Sequence, residues 1–444
     1  MKFAPFLRAT ALVCTVALLP VTTAGLAAVD GRTAPQFGKL FATYQRIKAS
    51  YVDEVDDEVL VKGAIEGMLA SLDPHSTYLD GPALQRLETM IDGNYSGLGL
   101  SVAMEDKAVK VISPMRGSPA EAAGVKVGDY ITHLDGKLIY GLDLDEAVSR
   151  MRGPAGTDIR LTIFRPGRDE PLDITVTRGV IELEPVTSKL ESGRIGVISV
   201  NEFSRNVGKD VKSELGKLRK EAGGRLAGLV LDLRSNPGGS LDEAIALSDL
   251  FLSDGVIVSQ RGRIARENQT YEAETVFKGD AARDLPIVVL IDAGSASASE
   301  IVAGALQDQH RALIMGETSF GKGSVQTLLP LTRDSAIKLT TARYYTPSGR
   351  SVQEGGIEPD IAVPQLSDPD MAKRAKLRYR ESDLRGHLIN EISLDDRELE
   401  NDKKPDPRFT ATAEELKEQG IKDFQLHYAL QTLRRAGGTL VTAK

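Results

Sequence analysis

The chain predicts a multidomain α/β protein: a helical N-terminal segment, a small β-rich domain, an α/β core, and a charged C-terminal tail ending in a helix. Three observations predict it. A length of 444 residues exceeds one ordinary hydrophobic core. Apolar residues alternate with period two over residues 97–178, and over residues 194–364 apolar runs alternate with helical spacing.

Taken in order, residues 1–28 read as a secretory signal. Lys2 and Arg8 supply the positive region, residues 9–19 an uncharged apolar run, and Ala24, Gly25, Ala27 and Ala28 small residues suited to cleavage. The mature chain is expected to begin near Ala28 or Val29. An uncleaved anchor fits less well, because Pro20 interrupts the run before the roughly 20 apolar residues a spanning helix needs. Residues 29–90 carry helical spacing, as in Leu60, Ile65, Met68 and Leu69, and include a turn-rich Leu72-Asp73-Pro74-His75-Ser76.

The β-rich domain, residues 91–180, shows short strands at Val109 and Val111, at Ile159, Leu161 and Ile163, and at Ile174 and Val176. Leu144, Ala147, Val148 and Met151 mark one amphipathic helix among them. In the core, residues 181–366, the run 229–233 leads into a helix at 240–252 and the run 287–291 into one at 297–306. Ser240 and Glu243 form a capping box, so the turn at Asn236-Pro237-Gly238-Gly239 opens a helix. Residues 367–444 are densely charged: 395–407 should be a linker, and a last helix around Phe424, Leu426, Ala429, Leu430 and Leu433 is placed to dock on the body or on another subunit.

Composition narrows the function. A net charge of −8 without a basic stripe disfavours nucleic acid. Cys14, the only cysteine, lies in the signal, so the mature chain has no disulfide, thiolate nucleophile or cysteine metal site. No metal or organic cofactor is required by the motifs found.

Ser295, Ser297 and Ser299 sit between a buried strand and a helix, where a side chain is held on rigid elements beside backbone amides. The same three serines also suit a plain helix cap. A serine needs a base, and none of the five histidines, His75, His133, His310, His387 and His427, stands in a glycine-framed loop at a strand end. Lys322 does, in Phe320-Gly321-Lys322-Gly323. A lysine becomes a base when burial lowers its pKa from about 10.4 toward 7 or 8, a differential of about 4 kcal/mol. Gln326 is spaced to orient that amine by a hydrogen bond. The span from Gly316 to Lys322 also matches a phosphate-binding loop, but Gly323 replaces the magnesium-binding Ser or Thr and a strand pattern follows.

Residues 294–300, 316–326, 234–239 and 343–353 together resemble the blocks of the carboxyl-terminal processing peptidases, and the similarity includes residues 72–79 and 355–360. The resemblance selects Ser297 from the three serines, because the family separates its serine and lysine by 25 positions, as Ser297 and Lys322 are. It implies a crotonase- or ClpP-like protease core in which Ser297 is the nucleophile, Lys322 the general base and Gln326 its support, with an oxyanion hole from the amide of Ala298 and that of Gly238 or Gly239. It also implies a PDZ domain whose carboxylate-binding loop is Gly97, Leu98, Gly99 and Leu100, and a regulatory reading for Arg152. Partners implied are protein substrates with free C-terminal tails, with room for an adaptor protein and a homo-oligomer, in the periplasm or cell envelope. A catalytically silent peptide-binding scaffold is the alternative. The intact serine, lysine and glutamine argue against it.

Overall fold

The computed structural model describes residues 34–92, 94–105, 108–115, 117–139, 142, 144–168, 170–182, 185–274, 276–277, 279–367, 380–390, 409 and 411–442. The expected signal and the expected linker at 395–407 lie outside them. Residues up to Met68 form one unit and those from Leu69 another. The first holds α1 (Ala34–Ser50) and most of α2 (Asp57–Ala70). Asp57 at the start of α2 receives the Lys48 ammonium and the Tyr44 hydroxyl of α1, both at 2.7 Å.

The second unit opens with a departure from the helical lead-in. After the turn at Asp73, β1 (Thr77–Leu79) pairs antiparallel with β18 (Ala336–Tyr345), far along the chain. Three residues are too few for a period-two signal, and tertiary pairing decides the conformation. Then come α3 (Gly81–Asp92) and the β module. In the module β2 (Asn94–Gly97) and β9 (Gly179–Glu182) clasp the two ends. A sheet runs between them in the order β3 (Leu100–Glu105), β4 (Ala108–Pro114), β5 (Tyr130–Leu134), β7 (Asp158–Phe164), β8 (Leu172–Thr177), with β6 (Lys137–Leu138) on β5. The expected alternating residues Val109, Val111, Ile159, Leu161, Ile163 and Val176 all point into one core with Ala147 and Met151 of α5 (Leu144–Met151). A short α4 (Pro119–Ala122), capped by Ser118, stands over the β2–β3 loop.

The core is a six-stranded sheet ordered β10 (Val186–Glu191), β11 (Ile195–Val200), β12 (Gly228–Asp232), β15 (Ile287–Ile291), β16 (Leu313–Gly316), β19 (Ile361–Ala362). All neighbours are parallel except β10 and β11. Strands buried on both faces read as continuous apolar runs, and here alternate residues go to opposite sides. Ile198, Val200, Leu229, Leu231, Ile287 and Val289 pack under α6 (Val207–Glu221), α7 (Leu241–Phe251) and α8 (Ala298–Asp308). Ile195, Val197, Val230, Val288 and Leu290 pack under the last helix, α10 (Phe424–Thr442), preceded by α9 (Ala413–Glu418). The last helix therefore docks on the body of its own chain. Arg234 fastens it: its guanidinium meets Asp232 at 2.6 Å and Asp423 at 2.8 Å. That pairing holds the Asp423 carboxyl down at about 2 against the cost of burial.

A second sheet, β1–β18–β13 (Val256–Gly262)–β14 (Gln269–Glu272), with β17 (Ser324–Pro330) on β18, covers the edge where the lysine loop emerges. The charged tail returns to it. Residues 380–390 lie against the core, the Glu381 amide donating to Phe320 and the Asn390 side chain to the Gln353 carbonyl.

Candidate active site

β15 ends at Asp292, a buried carboxylate that gathers the amides of Ser235 (2.7 Å) and Gly294 (2.9 Å) and so ties the 235 turn to the serine loop. The three serines then separate by environment. Ser295 is fully buried and donates to the Leu233 carbonyl at 2.8 Å; Ser299 is fully buried and donates to Asn236 O at 3.0 Å. Ser297 is partly exposed, at the N-terminus of α8, with φ 55° and ψ −110°. A side chain in that region costs about 1–3 kcal/mol, and such strain persists only where the surroundings over-determine it.

What fixes it is Glu300. This carboxylate is buried and accepts four bonds: from the amides of Ser297 (2.8 Å) and Lys322 (3.0 Å) on Oε2, and from the Gly321 amide (2.7 Å) and Ser319 hydroxyl (2.5 Å) on Oε1. Burial pushes its carboxyl up to about 7, while the four donors pull the other way. One carboxylate oxygen thus holds the backbone of both Ser297 and Lys322.

Lys322 lies in a tight loop. Gly321 has φ +94° and Gly323 abuts the Gln353 backbone, so neither position has room for a Cβ. Its side chain is mostly enclosed, and Nζ has no hydrogen bond to a described residue. Burial lowers the amine's pKa and the charge of Lys338 lowers it further; Glu381, Glu300 and Asp73 oppose them. Gln326 does not bond this amine. Its amide donates to Ser324 Oγ (2.9 Å) and Thr340 Oγ1 (3.3 Å), and Thr340 donates in turn to Asp73 (3.1 Å). Asp73 also accepts from the His75 and Ser76 amides and the Ser76 hydroxyl.

Across from Ser297 stands the glycine turn. A Cβ at Gly238 would lie 2.7 Å from Ala296 O and 2.8 Å from Ser297 Cβ, so only glycine permits this approach. The two glycines are not equivalent. The Gly238 amide donates to Asn236 Oδ1 at 2.9 Å, whereas the amides of Gly239 and Ala298 have no acceptor among the described residues.

In the β module Gly97, Leu98, Gly99 and Leu100 form the β2–β3 junction. Met115 donates to the Gly99 carbonyl and Ala120 to that of Leu98, while the amides of Leu98 and Gly99 have no acceptor among the described residues. β3 is the end strand of its sheet, with α5 beyond it in the chain. Arg152 follows α5 and is half-buried, its amide closing the helix onto Val148 O.

Sequence reasoning passed over Glu300, Asp73, Lys338 and Glu381. Glu300 carried a signal, since it stands three residues after Ser297 in capping-box spacing. Asp73 lay in a segment read as a turn and as part of the family resemblance, with no role given to its carboxylate. Glu381 had no signal: it comes from a charged tail, yet is buried against His75 (2.8 Å) and Gln353 (3.0 Å). Four histidines sit in structural contacts, His75 with Glu381, His133 with Thr132 at 3.0 Å, His387 with Glu354 at 2.7 Å and His427 with Gln431 at 2.8 Å, while His310 is exposed at a helix end. The phosphate-loop reading fails as expected, because Gly323 leads into strand β17.

Family models match the chain over residues 194–363 (peptidase family S41), 110–165 (PDZ domain) and 22–83 (activating protease CtpB N-terminal domain). The carboxy-terminal-processing protease of Bartonella bacilliformis is 48% identical over 360 residues, 81% of this chain and 82% of that protein. Carboxy-terminal processing protease CtpA of Bacillus subtilis is 36% identical over 351 residues, 78% of this chain and 72% of that one. Among solved structures, a photosystem II D1 C-terminal processing protease aligns with TM-score 0.46 at 27% identity, covering 81% of this chain and 99% of that chain. With identity of this extent over 81% of its length, the chain belongs to the carboxy-terminal processing proteases, the serine peptidases of family S41.

Proposed function

We propose that this protease cleaves exported proteins selected by their C-terminal tails, with Ser297 as nucleophile and Lys322 as general base. The observation that carries the assignment is the shared Glu300 oxygen, which binds the amides of both residues and so ties a strained, partly exposed serine to the loop of a mostly enclosed lysine. Neutral Lys322 takes the Ser297 proton as Oγ attacks the scissile carbonyl. The oxyanion forms on the free amides of Ala298 and Gly239; loss of one such donor typically costs about 100- to 1000-fold. Lys322 then returns the proton to the leaving amine, and water repeats the sequence on the acyl-enzyme. Gln326 acts at one remove, by ordering Ser324 and Thr340 around the lysine loop.

Substrate choice belongs to the PDZ domain, about residues 91–180. A tail adds a strand to the edge of β3, and its carboxylate takes the amides of Leu98 and Gly99. Arg152 relays occupancy from the end of α5. The helical segment from residue 29 and the C-terminal region after residue 366 are the surfaces left for an adaptor or a second copy. The signal directs the chain to the periplasm or cell envelope, and intact mass of the exported protein should place its first residue at Ala28 or Val29; a retained signal would mean an anchor instead.

The dyad is tested by degradation of an unstructured protein with and without an apolar C-terminal tail. Ser297→Ala and Lys322→Ala should each abolish cleavage, and the tailed protein should be preferred. Persistent cleavage by either purified variant refutes the dyad, and equal rates on the two proteins refute tail selection.

A further inference from the structure

The loop that follows β11 runs beside the glycine turn and carries a carboxylate that the dyad does not use. Phe203, fully buried in the core, bridges Gly239 in parallel: its amide donates to Gly238 O at 2.9 Å and its carbonyl accepts from the Ser240 amide at 2.8 Å. One residue before Glu202, the Asn201 amide donates to Pro185 O at 2.8 Å. Farther along, Glu243 of α7 takes the amides of Asn206 (2.8 Å) and Gly208 (3.1 Å). Glu202 is thus held between two bonded amides, on a loop fastened to the turn.

That carboxylate is half-buried and unsatisfied. Its Oε1 is enclosed with no hydrogen-bond partner, and the buried Ser204 hydroxyl two residues on has none either. Folded proteins leave few enclosed polar atoms in this state, and such atoms mark strain or a missing ligand. Glu202 has no ion pair among the described residues, and burial alone pushes its carboxyl upward. The residue is also close to the chemistry. A Cβ at Gly238 would stand 2.8 Å from Ser297 Cβ, on the far side of the turn from Phe203. Chained through covalent geometry, these contacts put the Glu202 backbone within about 12 Å of Ser297. At about 3.3 Å per extended residue, a peptide held at Ser297 reaches Glu202 within about four residues of its scissile bond.

We infer that Glu202 is a specificity residue whose carboxylate takes a lysine or arginine side chain of the substrate, at one position near the scissile bond. The inference rests on the peptidase reading of the Ser297 site and adds a preference that the PDZ domain does not supply. A neutral donor would satisfy an oxygen and leave the charge unpaired, whereas an ammonium or guanidinium meets both. The apolar stem of such a side chain also suits a half-buried wall.

The test is binding, read by fluorescence anisotropy on the mature chain carrying Ser297→Ala. Labelled apolar peptides with amidated ends, which deny the PDZ loop its carboxylate, carry a single Lys or Gln at successive positions. Lys should bind about tenfold more tightly than Gln at one position, the scale of a hydrogen bond to a charged group. Adding Glu202→Gln should cancel that advantage. Adding Glu202→Lys instead should reverse it, so that a Glu peptide is preferred at the same position, which a residue serving only to shape the loop would not do. If Glu202→Lys does not fold, the nearly isosteric Glu202→Gln decides alone. Equal binding of Lys and Gln at every position, no binding by either series, or a Lys advantage that survives Glu202→Gln overturns the subsite. Failure of the dyad shows instead as cleavage by Ser297→Ala, so the two readings fall separately.

Discussion

Two loops in this chain have backbone amides with no acceptor among the described residues, one proposed as the oxyanion hole and the other as the tail-carboxylate site, and they are built in opposite ways. Around Ser297 the amides of Ala298 and Gly239 are framed by two buried carboxylates, Asp292 and Glu300, and by a strained backbone. Around Gly99 the amides of Leu98 and Gly99 are framed by two neutral backbone bonds and the packing of Ser118, with no buried carboxylate bonded to the loop among the described residues. The chemistry explains the difference. A peptide carboxylate carries its charge before it arrives, so a loop that merely permits approach is sufficient. An oxyanion exists only during reaction, and donors that must reorganise to meet it give little acceleration. On the proposed roles, rigidity is concentrated where the charge is transient.

The largest test of that contrast is Glu300→Ala. It orphans four donors at once, and each buried donor left without a partner costs about 1–3 kcal/mol. We expect kcat/KM to fall at least 100-fold, with a drop in Tm of several degrees, while a tail peptide still binds the PDZ domain with its original Kd. Parallel loss of tail binding would show that the two loops share their rigidity and would break the comparison.

Gly99→Val attacks the other loop. Gly99 has φ +71°, and a Cβ there would collide with Ser118 Cβ. Tail affinity, measured by titration of a labelled peptide, should weaken about tenfold or more, and the loss in proteolysis should appear as a raised KM for tailed proteins. A fall confined to kcat would mean that the loop acts on the chemistry and not on recruitment.

The contrast also shows what a sequence can carry. Strands β12 and β15 were legible because runs buried on both faces have no polar alternation, and Ser240 and Glu243 marked their helix start by capping chemistry. Lys322 was singled out by its glycine frame and Ser297 as one of three serines between a strand and a helix, and only the family spacing chose among the three. The structure adds a physical reason: Ser295 and Ser299 spend their hydroxyls on carbonyls inside the protein. What stayed hidden depends on contacts between distant segments. β1 is a strand because β18 receives it, and Glu381 is a core residue because the chain returns from a charged region to bury it. Neither local propensity nor spacing encodes such returns.

The smallest expected effect is the most specific, and it concerns the charges around Lys322. In the unfolded chain this lysine titrates near its ordinary value of 10.5; in the folded protein burial and Lys338 depress it. The unfolded state therefore holds the proton more tightly. The linked stability rises with pH across the window from the folded value to the unfolded one, and is lost as pH falls back through the folded value. With Lys322 as the proposed base, activity needs the neutral amine, so kcat/KM should climb about tenfold per pH unit on the acidic side and then level off. Lys338→Met removes a like charge and should move that limb to higher pH; Glu381→Gln removes an opposing carboxylate and should move it to lower pH. Rate profiles of the three proteins on one short peptide measure both shifts. Opposite displacements mark a titrating group that feels both of those charges, as Lys322 does; displacements of the same sign, or none, would transfer the base to another group.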